Sequence, residues 1–595
     1  MKPSKPRTQR TWIQCLPLLG PLLIALLLIG LTLISVSHSS DEDDAESAGT
    51  PEIRLVLQIT VDGLRADLLN RYRSSFGNDG FERLMGGGAV FENANYQHAN
   101  TETIVGHTTL ATGATPAVHG MIGNAWFDRR SGELGYNIED ADHPLLPSRD
   151  DITKGVQVDP AQMAARSNGR SPRKILVPTL GDALSAFHSG KAKIFGVSGK
   201  DRSAVAMAGH TGKAFWFSTD STDFVTSSYY YDEYPAWAAA WNGERKAAKL
   251  AGTQWELSSE PSTYRLFDQD DRPYEADLRG YGRTFPHPFG KADDPLFPTR
   301  LLVSPYGDEL LADFTMELIE SEGIGDDEVP DFLSVSFSSV DAVNHFFGPS
   351  SLENEETVRC LDRTLARLFA FVDKHVGLDH TLIVLSADHG MADMPEYMES
   401  LGYQVGRLSP DEIVAAANGA GESLGIDEIV KLFYRPYVYL DDEKISAAGA
   451  DRDTAERYVA EAIGAIRGVA LAAPTHDLDA LGSDPAVKMV RNNHNPERSG
   501  DIYVAQRPYW FLFDKGPVAC MHGSPWRYDT HVPLMFSGPG ITPARDLRSV
   551  HPVDIVPTIA SQLGITPPAG ARGDILDISP ANNRERTRGT SSPSQ

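Results

Sequence analysis

The chain has 595 residues, of which 41% are hydrophobic and 23% are charged, and this composition excludes a disordered or fibrous protein. Its 54 lysines and arginines stand against 81 aspartates and glutamates, which gives a net charge of −27. Such an acidic surface repels nucleic-acid phosphates, so we expect no nucleic-acid scaffold binding. Three cysteines are too few for a disulfide-dense scaffold or a cysteine-based metal cluster.

The first forty residues have the pattern of an export segment. Four basic residues precede a charge-free stretch rich in Leu and Ile that runs from Thr11 to Ser37. The stretch is long for a cleaved signal and just long enough to span a bilayer, so a signal peptide and an uncleaved membrane anchor both remain open. In either case the remainder of the chain is exported. We expect a linker over 41–51, a folded domain over 52–575 and a disordered tail over 576–595.

Four short apolar runs predict buried strands at Arg54–Val61, Phe332–Val340, Thr381–Ala387 and His531–Phe536. A long helical stretch, Glu353–His375, lies between the second and third of them. The order strand, helix, strand implies right-handed crossovers. The sequence therefore predicts the α/β class, with a mainly parallel sheet sandwiched by helices. In such sheets ligands bind beyond the carboxyl ends of the strands.

Aspartates follow three of these runs, and histidines lie close to two of them. Asp62, Asp341 and Asp388 come at the strand ends, His345 follows Asp341 by one helical turn, and His389 is adjacent to Asp388. A single Asp after a strand is commonly only a helix N-cap. Three clustered carboxylates, however, would repel one another without cations between them. Carboxylate with imidazole and no thiolate suits zinc, manganese or iron, so we predict a two-metal site.

A hydroxyl-rich stretch between Ala99 and Gly113 is the candidate source of a nucleophile. Its small residues can bring a hydroxyl oxygen and backbone N–H groups close to an anion at a helix start. A metal ion beside that hydroxyl would lower its pKa and favour the alkoxide. The residue types alone do not choose among five threonines, which are Thr101, Thr103, Thr108, Thr109 and Thr112.

In the order and spacing of these motifs the chain resembles the alkaline phosphatase superfamily. It is most similar to the bacterial PafA-like alkaline phosphatases, which use a threonine nucleophile, and the resemblance spans nearly all of residues 52–570. It implies that Thr103 in NTETIVGHTT is the nucleophile and that Asn124 in MIGNAWFD holds a phosphate oxygen. Lys200 and Arg202 in SGKDRSA match the Lys-x-Arg pair of the monoesterase branch.

The resemblance also implies two zinc ions per chain. Asp62, Asp388 and His389, together with the Thr103 oxygen, would hold one of them. The other would be held by Asp341, His345 and His531. The implied reaction is an in-line attack on a small phosphorylated substrate, with a phosphothreonine intermediate that water then hydrolyses. The implied location is the bacterial periplasm or the extracellular space, with anchoring to the inner membrane as the alternative.

Two long stretches, at about 128–300 and 394–516, are expected to be insertions that form caps at the strand ends. An aromatic cluster in the first, from Phe215 to Trp241, fits the insertion's own core better than a substrate wall. His522 is a candidate spare ligand or supporting group near the metals. His107 is expected to be structural, beneath the nucleophile loop.

Three competing functions are distinguishable by sequence features. A nucleotide pyrophosphatase or phosphodiesterase on the same two metals is the alternative, and Lys200 and Arg202 favour the monoesterase. These two residues would project the same way if their stretch is extended. A sulfatase is disfavoured because the C/S-x-P-x-R motif is absent around Thr103. A binding protein without catalysis would lack a ligand or the nucleophile, and all of them are present.

Overall fold

The computed structural model describes residues 52–147, 155–513 and 518–579, and these belong to one compact unit. The predicted export segment and linker lie outside the described residues, as does the tail from residue 580 onward. Among the described residues, none of the helices combines the length and the hydropathy needed to cross a membrane.

The strands within the described residues are β1 Leu55–Val61, β2 Ala89–Phe91, β3 Ala94–Asn95, β4 Ala125–Asp128, β5 Glu133–Tyr136, β6 Ile194–Ser198, β7 Lys213–Phe217, β8 Phe224–Val225, β9 Gln254–Trp255, β10 His287–Pro288, β11 Asp331–Phe337, β12 Thr381–Ser386, β13 Arg407–Leu408, β14 Val430–Tyr434, β15 Tyr437–Leu440, β16 Val469–Pro474, β17 Ile502–Gln506, β18 Phe511–Leu512, β19 His531–Val532, β20 Leu534–Ser537 and β21 Ala544–Asp546. The α-helices in the same residues are α1 Ala66–Tyr72, α2 Phe81–Gly87, α3 Thr103–Thr112, α4 Pro116–His119, α5 Pro160–Met163, α6 Leu180–Phe187, α7 Asp201–Ala208, α8 Ala236–Gly243, α9 Phe297–Leu302, α10 Pro305–Glu322, α11 Ser339–Phe347, α12 Leu352–His375, α13 Pro395–Ser400, α14 Pro410–Ser423, α15 Asp442–Ala447, α16 Arg452–Gly464, α17 Pro485–Asn493, α18 Arg527–Thr530 and α19 Ile555–Gln562.

A central sheet of nine strands, counted among the described residues, has the order β21-β2-β20-β12-β1-β11-β6-β7-β8. Five consecutive strands, β12-β1-β11-β6-β7, are parallel, with β1 between β11 and β12. The pairings of β20 with β12 and with β2 are antiparallel, as is that of β7 with β8. The predicted mainly parallel α/β sheet is confirmed.

Helices cover both faces of this sheet because its central strands are apolar on both sides. Leu57 and Ile59 of β1 point into a core that also contains residues of α10 and α12. Val56 of the same strand points into the opposite core, together with Leu110 of α3 and Ile559 of α19. The alternation along β1 therefore places one helical layer on each face.

Residues 407–512 contain a second sheet, which we call the outer sheet, with the order β14-β15-β17-β16. Its pairings are antiparallel, and it packs on α14 and α16 through a hydrophobic core of its own. The first predicted insertion, at about 128–300, is only partly an insertion, because β6, β7 and β8 within it are strands of the central sheet. Its aromatic cluster does not form a core of its own: Phe215, Phe224 and Trp241 are buried around Phe314 of α10, in the same core as Leu57 of β1.

The structure corrects several predicted boundaries. β11 ends at Phe337, so Asp341 lies in the first turn of α11 and not directly at a strand end. The run from His531 to Phe536 is two strands, because β19 pairs with β3 and only β20 joins the central sheet. Leu576 and Ile578, which we expected in the disordered tail, are buried in the core beside α19.

Candidate functional site

One group of side chains that could hold a metal ion lies at the carboxyl ends of β1 and β12. Ligand atoms of Asp62, Asp388 and His389 all lie within 4.8 Å of one another, and the three residues are fully buried. His389 Nε2 is 3.5 Å from Asp62 Oδ1 and 3.3 Å from Asp388 Oδ2. The parallel pairing of β1 with β12 brings the two chain segments together.

A second group consists of Asp341, His345 and His522, whose ligand atoms again lie within 4.8 Å of one another. Asp341 and His345 are one turn apart on α11, and His345 Nε2 is 3.3 Å from Asp341 Oδ2. His522 Nε2 is 3.7 Å from Asp341 Oδ1. The two groups are adjacent, since the rings of His522 and His389 stack with centroids 3.6 Å apart.

His531 is not brought to this group, which corrects the expected ligand set. Its Nε2 lies 2.9 Å from the carbonyl oxygen of Glu92, and its backbone pairs with Asn95. The reason is that β19 and β20 are separate strands, so the residue leading into the central sheet turns toward β3. His522, which we had expected only as a spare ligand or supporting group, lies where the third ligand was expected.

Backbone carbonyls fix the orientation of all three imidazoles in the two groups. His389 Nδ1 lies 2.8 Å from the Gly390 oxygen, His345 Nδ1 2.9 Å from the Cys520 oxygen, and His522 Nδ1 2.7 Å from the Thr101 oxygen. A carbonyl can only accept, so each Nδ1 carries the proton and each Nε2 presents its lone pair to the carboxylates. This is the arrangement in which histidine binds a metal ion.

Three buried polar atoms of this centre have no hydrogen bond, and they are Asp62 Oδ1, Asp341 Oδ1 and His389 Nε2. Asp62 Oδ2 has Lys200 Nζ at 2.9 Å, and Asp388 Oδ2 has His107 Nδ1 at 3.1 Å. Burial and the nearby Asp388 raise the pKa of Asp62 to about 6. Burial opposes ionisation of Asp341 as well, but the positive charge of Lys200 helps to hold its pKa well below the usual range. Buried acceptors facing one another fit cations, and these nitrogen and oxygen donors fit zinc.

Thr103 is the first residue of α3 and is fully buried beside these groups. The helix approaches Asp388 closely at Gly106, where a Cβ atom would lie 2.0 Å from the Asp388 carbonyl oxygen. His107 lies one turn after Thr103. Its Nδ1 is 2.8 Å from the Thr103 carbonyl oxygen and 3.1 Å from Asp388 Oδ2. The start of α3 is therefore packed directly against the Asp388 turn.

Lys200 and Arg202 both reach the site, although not from an extended stretch as we expected. Lys200 is the N-cap of α7, and Arg202 lies in its first turn. Lys200 Nζ contacts Asp341 and lies 2.9 Å from Asp62 Oδ2, so it bridges the two groups. Arg202 Nη2 donates to Thr103 Oγ1 at 3.4 Å, while Nη1 donates to Asp159 at 2.6 Å.

Asn124 lies on the other side of the α3 start. Its side-chain Oδ1 accepts from the backbone N–H of Ile104 at 3.1 Å, and its backbone N–H donates to Glu102 Oε2 at 2.6 Å. With its oxygen engaged, the amide nitrogen is the group left to donate to a ligand.

A cavity of about 590 Å³ opens over these residues. Its lining includes Asn124, Lys200, Arg202, His345 and His522. Residues of the two predicted insertions also contribute to its wall, among them Asp159, Trp216, Phe217, Phe433, Tyr434 and Arg435. A volume of this size holds a ligand much larger than a phosphate group.

Sequence reasoning missed several charged residues at the cavity, among them Glu102, Asp159 and Arg435. Glu102 directly precedes Thr103 in the motif predicted to carry the nucleophile, so its position could have singled it out. Arg435 contacts Glu102 across 333 residues of sequence, and no local pattern marks it.

Comparison with known proteins places this geometry in a family. Residues 56–525 match the type I phosphodiesterase/nucleotide pyrophosphatase family. The alkaline phosphatase PafA of Elizabethkingia meningoseptica is 31% identical over 554 residues, which cover 92% of this chain and 97% of that protein. The alkaline phosphatase PhoV of Synechococcus elongatus is 29% identical, and the match covers 88% of this chain and 92% of that protein.

The fold agrees with this relationship. A crystal structure of wild-type PafA superimposes with a TM-score of 0.81 at 30% identity, covering 88% of this chain and 98% of that chain. The chain therefore belongs to the type I phosphodiesterase/nucleotide pyrophosphatase family and is an alkaline-phosphatase-like phosphoesterase of the PafA type.

Proposed function

We propose that this chain is an exported, zinc-dependent alkaline phosphatase that hydrolyses phosphate monoesters through a phosphothreonine at Thr103. One observation supports it above all others. Two adjacent groups of carboxylate and imidazole side chains meet a buried threonine hydroxyl and two cations, beside a cavity that Asp341, His345 and His522 of the second group line.

Each of the two groups would hold one zinc ion. Asp62, Asp388 and His389, with the Thr103 hydroxyl oxygen, form one ligand set. Asp341, His345 and His522 form the other. Two zinc ions, when bound, supply positive charge beside the entering and leaving oxygens and lower the pKa of the hydroxyl.

Four side chains act directly on the phosphoryl group. Thr103 Oγ1 forms the new bond to phosphorus as the ester P–O bond breaks, and water later cleaves the phosphothreonine to restore the hydroxyl. Arg202 Nη2 already lies beside Thr103 Oγ1 and can donate to a phosphoryl oxygen. The Asn124 amide and Lys200 supply further donors, which suits a reaction that depends mainly on electrostatic stabilisation.

The parts of the predicted insertions, at about 128–300 and 394–516, that lie outside the central sheet would act as caps over the reaction, whereas residues 194–225 contain β6, β7 and β8 of that sheet. Side chains from both contribute to the cavity wall, and closing a site against water strengthens the electrostatic contacts inside it. Export would depend on residues 1–40, whether they are cleaved or remain as an anchor.

The family's type I phosphodiesterase description favours one other candidate, a diesterase on the same two metal groups. The purified protein should contain about two zinc ions per chain and should turn over a phosphate monoester faster than a matched diester. A metal-free protein with full activity would contradict the metal assignment. A preference for the diester would instead favour the alternative.

A further inference from the structure

Arg435 brings a buried cation from the outer sheet into the cavity. It lies at the turn between β14 and β15, its side chain is 7% exposed, and its guanidinium carbon is 5.7 Å from the ring centre of Phe513. The residue lines the same cavity as Lys200 and Arg202. Nothing in the reaction described above uses it.

One side of the guanidinium holds the segment that carries His522. Arg435 Nη1 donates to the carbonyl oxygen of His522 at 2.7 Å and to that of Gly523 at 3.4 Å. Gly523 has a φ of +103°, and a Cβ atom there would lie only 2.8 Å from Arg435 Nη1. The glycine therefore permits this close approach, which fixes the backbone of His522 while Thr101 fixes its imidazole.

The other side of the guanidinium holds the residue that precedes the nucleophile. Arg435 Nη2 donates to Glu102 Oε1 at 3.3 Å, and Glu102 Oε2 accepts from the Asn124 N–H at 2.6 Å. Glu102 also lines the cavity, next to Thr103. An uncompensated carboxylate at this place would repel a phosphate dianion, and Arg435 supplies the compensating charge.

We propose that Arg435 is a positioning residue that ties His522 and the Glu102–Asn124 pair together and neutralises Glu102. It acts through these groups, because both of its Nη atoms are already engaged with them. The part that concerns turnover rests on the proposed phosphatase function, whereas the part that concerns zinc binding at His522 does not.

The first test measures zinc affinity of the metal-stripped full-length chain by competition with a chelator. One zinc ion should be lost in His522→Ala, and this is the ion to follow. We expect Arg435→Met to bind it about 10- to 100-fold more weakly than wild type does, as for other residues that support metal ligands. Arg435→Lys keeps the charge and one donor, so its affinity should lie between the two.

Arg498→Met is the matched control. Arg498 likewise donates to a backbone carbonyl, that of Gly120 at 2.6 Å, and packs on an aromatic ring, that of Trp126 at 4.9 Å. It does not line the cavity. Its replacement should leave zinc affinity unchanged.

The second test compares kcat/KM for a matched monoester and diester. Arg435→Met should reduce the monoester value more than the diester value, and adding Glu102→Gln should restore part of it by removing the uncompensated charge. Wild-type zinc affinity in both Arg435 variants, or an equal loss in Arg498→Met, would overturn the proposal. If the wild type fails to hydrolyse the monoester, the proposed function is wrong, and the zinc measurement still decides the role of Arg435.

Discussion

Replacing Lys200 and Arg202 together by alanine removes the two cations that face the cavity beside Thr103. Arg202 commits Nη1 to Asp159, while Nη2 lies 3.4 Å from Thr103 Oγ1. Nη2 is therefore the guanidinium nitrogen that can donate to a phosphoryl oxygen. Lys200 Nζ adds a point charge between Asp62 and Asp341.

The size of the effect follows from the charged hydrogen bonds to the phosphoryl group that the two substitutions remove. A hydrogen bond to a charged group contributes about 1.5–3 kcal/mol, so two such bonds are worth about 3–6 kcal/mol. At about 1.4 kcal/mol per factor of ten, kcat/KM for a monoester should fall by about 10²–10⁴. A diester has one charge less and one non-bridging oxygen less, so its loss should be smaller.

The assay is kcat/KM for a matched monoester and diester, with zinc content measured in each variant. Lys174→Ala/Arg498→Ala is the control, because this lysine and arginine pack on the Trp126 ring and neither lines the cavity. Both activities of the control should stay near wild type. Equal losses on the two substrates in Lys200→Ala/Arg202→Ala would refute the monoesterase reasoning.

The remaining predictions concern the nucleophile, the ligands, the metals and one buried acid. Thr103→Ala should abolish nearly all turnover with metal content intact, and Thr103→Ser should keep part of it; near-normal turnover of the alanine variant would move the role elsewhere. His522→Ala should lose about one zinc ion per chain by elemental analysis, whereas His531→Ala should keep both. Exhaustive chelation should stop turnover, and zinc should restore it. Burial, with Glu353 nearby, raises the pKa of Glu275 to about 10, so the folded protein holds a proton that the unfolded chain releases above its ordinary pKa of 4.5. The free energy of unfolding should therefore fall by up to about 1.4 kcal/mol per pH unit between these values, and Glu275→Gln should remove that slope in denaturation curves recorded across the window.

The central sheet was predictable because its strands are continuous apolar runs with a helix of clear periodicity between them. β1 and β12 match their predicted spans closely, and α12 begins at Leu352, one residue before the prediction. The pairing of Asp341 with His345 was predictable for the same local reason, since one helical turn separates them.

The errors arose where the outcome depended on distant parts of the chain. β20 pairs antiparallel with β12 and β2, whereas β19 pairs separately with β3. These pairings place His531 beside the Glu92 carbonyl oxygen. The start of α7 at Asp201 was also not predictable from the sequence, because its N-cap residue, Lys200, makes no capping hydrogen bond with its side chain.

The segment from Ala519 to Ser524 shows why His522, the third member of the second group, could not be identified from local sequence. The backbone N–H of Ala519 donates to the His345 oxygen, and the Cys520 oxygen accepts from His345 Nδ1. The Ser524 N–H donates to Thr101 Oγ1, and Thr101 in turn accepts from His522 through its carbonyl. Each of these hydrogen bonds joins residues that are far apart in the sequence, so the segment is shaped by α11 and the nucleophile loop and not by its own sequence. A histidine in a polar loop becomes a metal-ligand candidate only because the folded chain holds that loop in place from both α11 and the Thr101 loop.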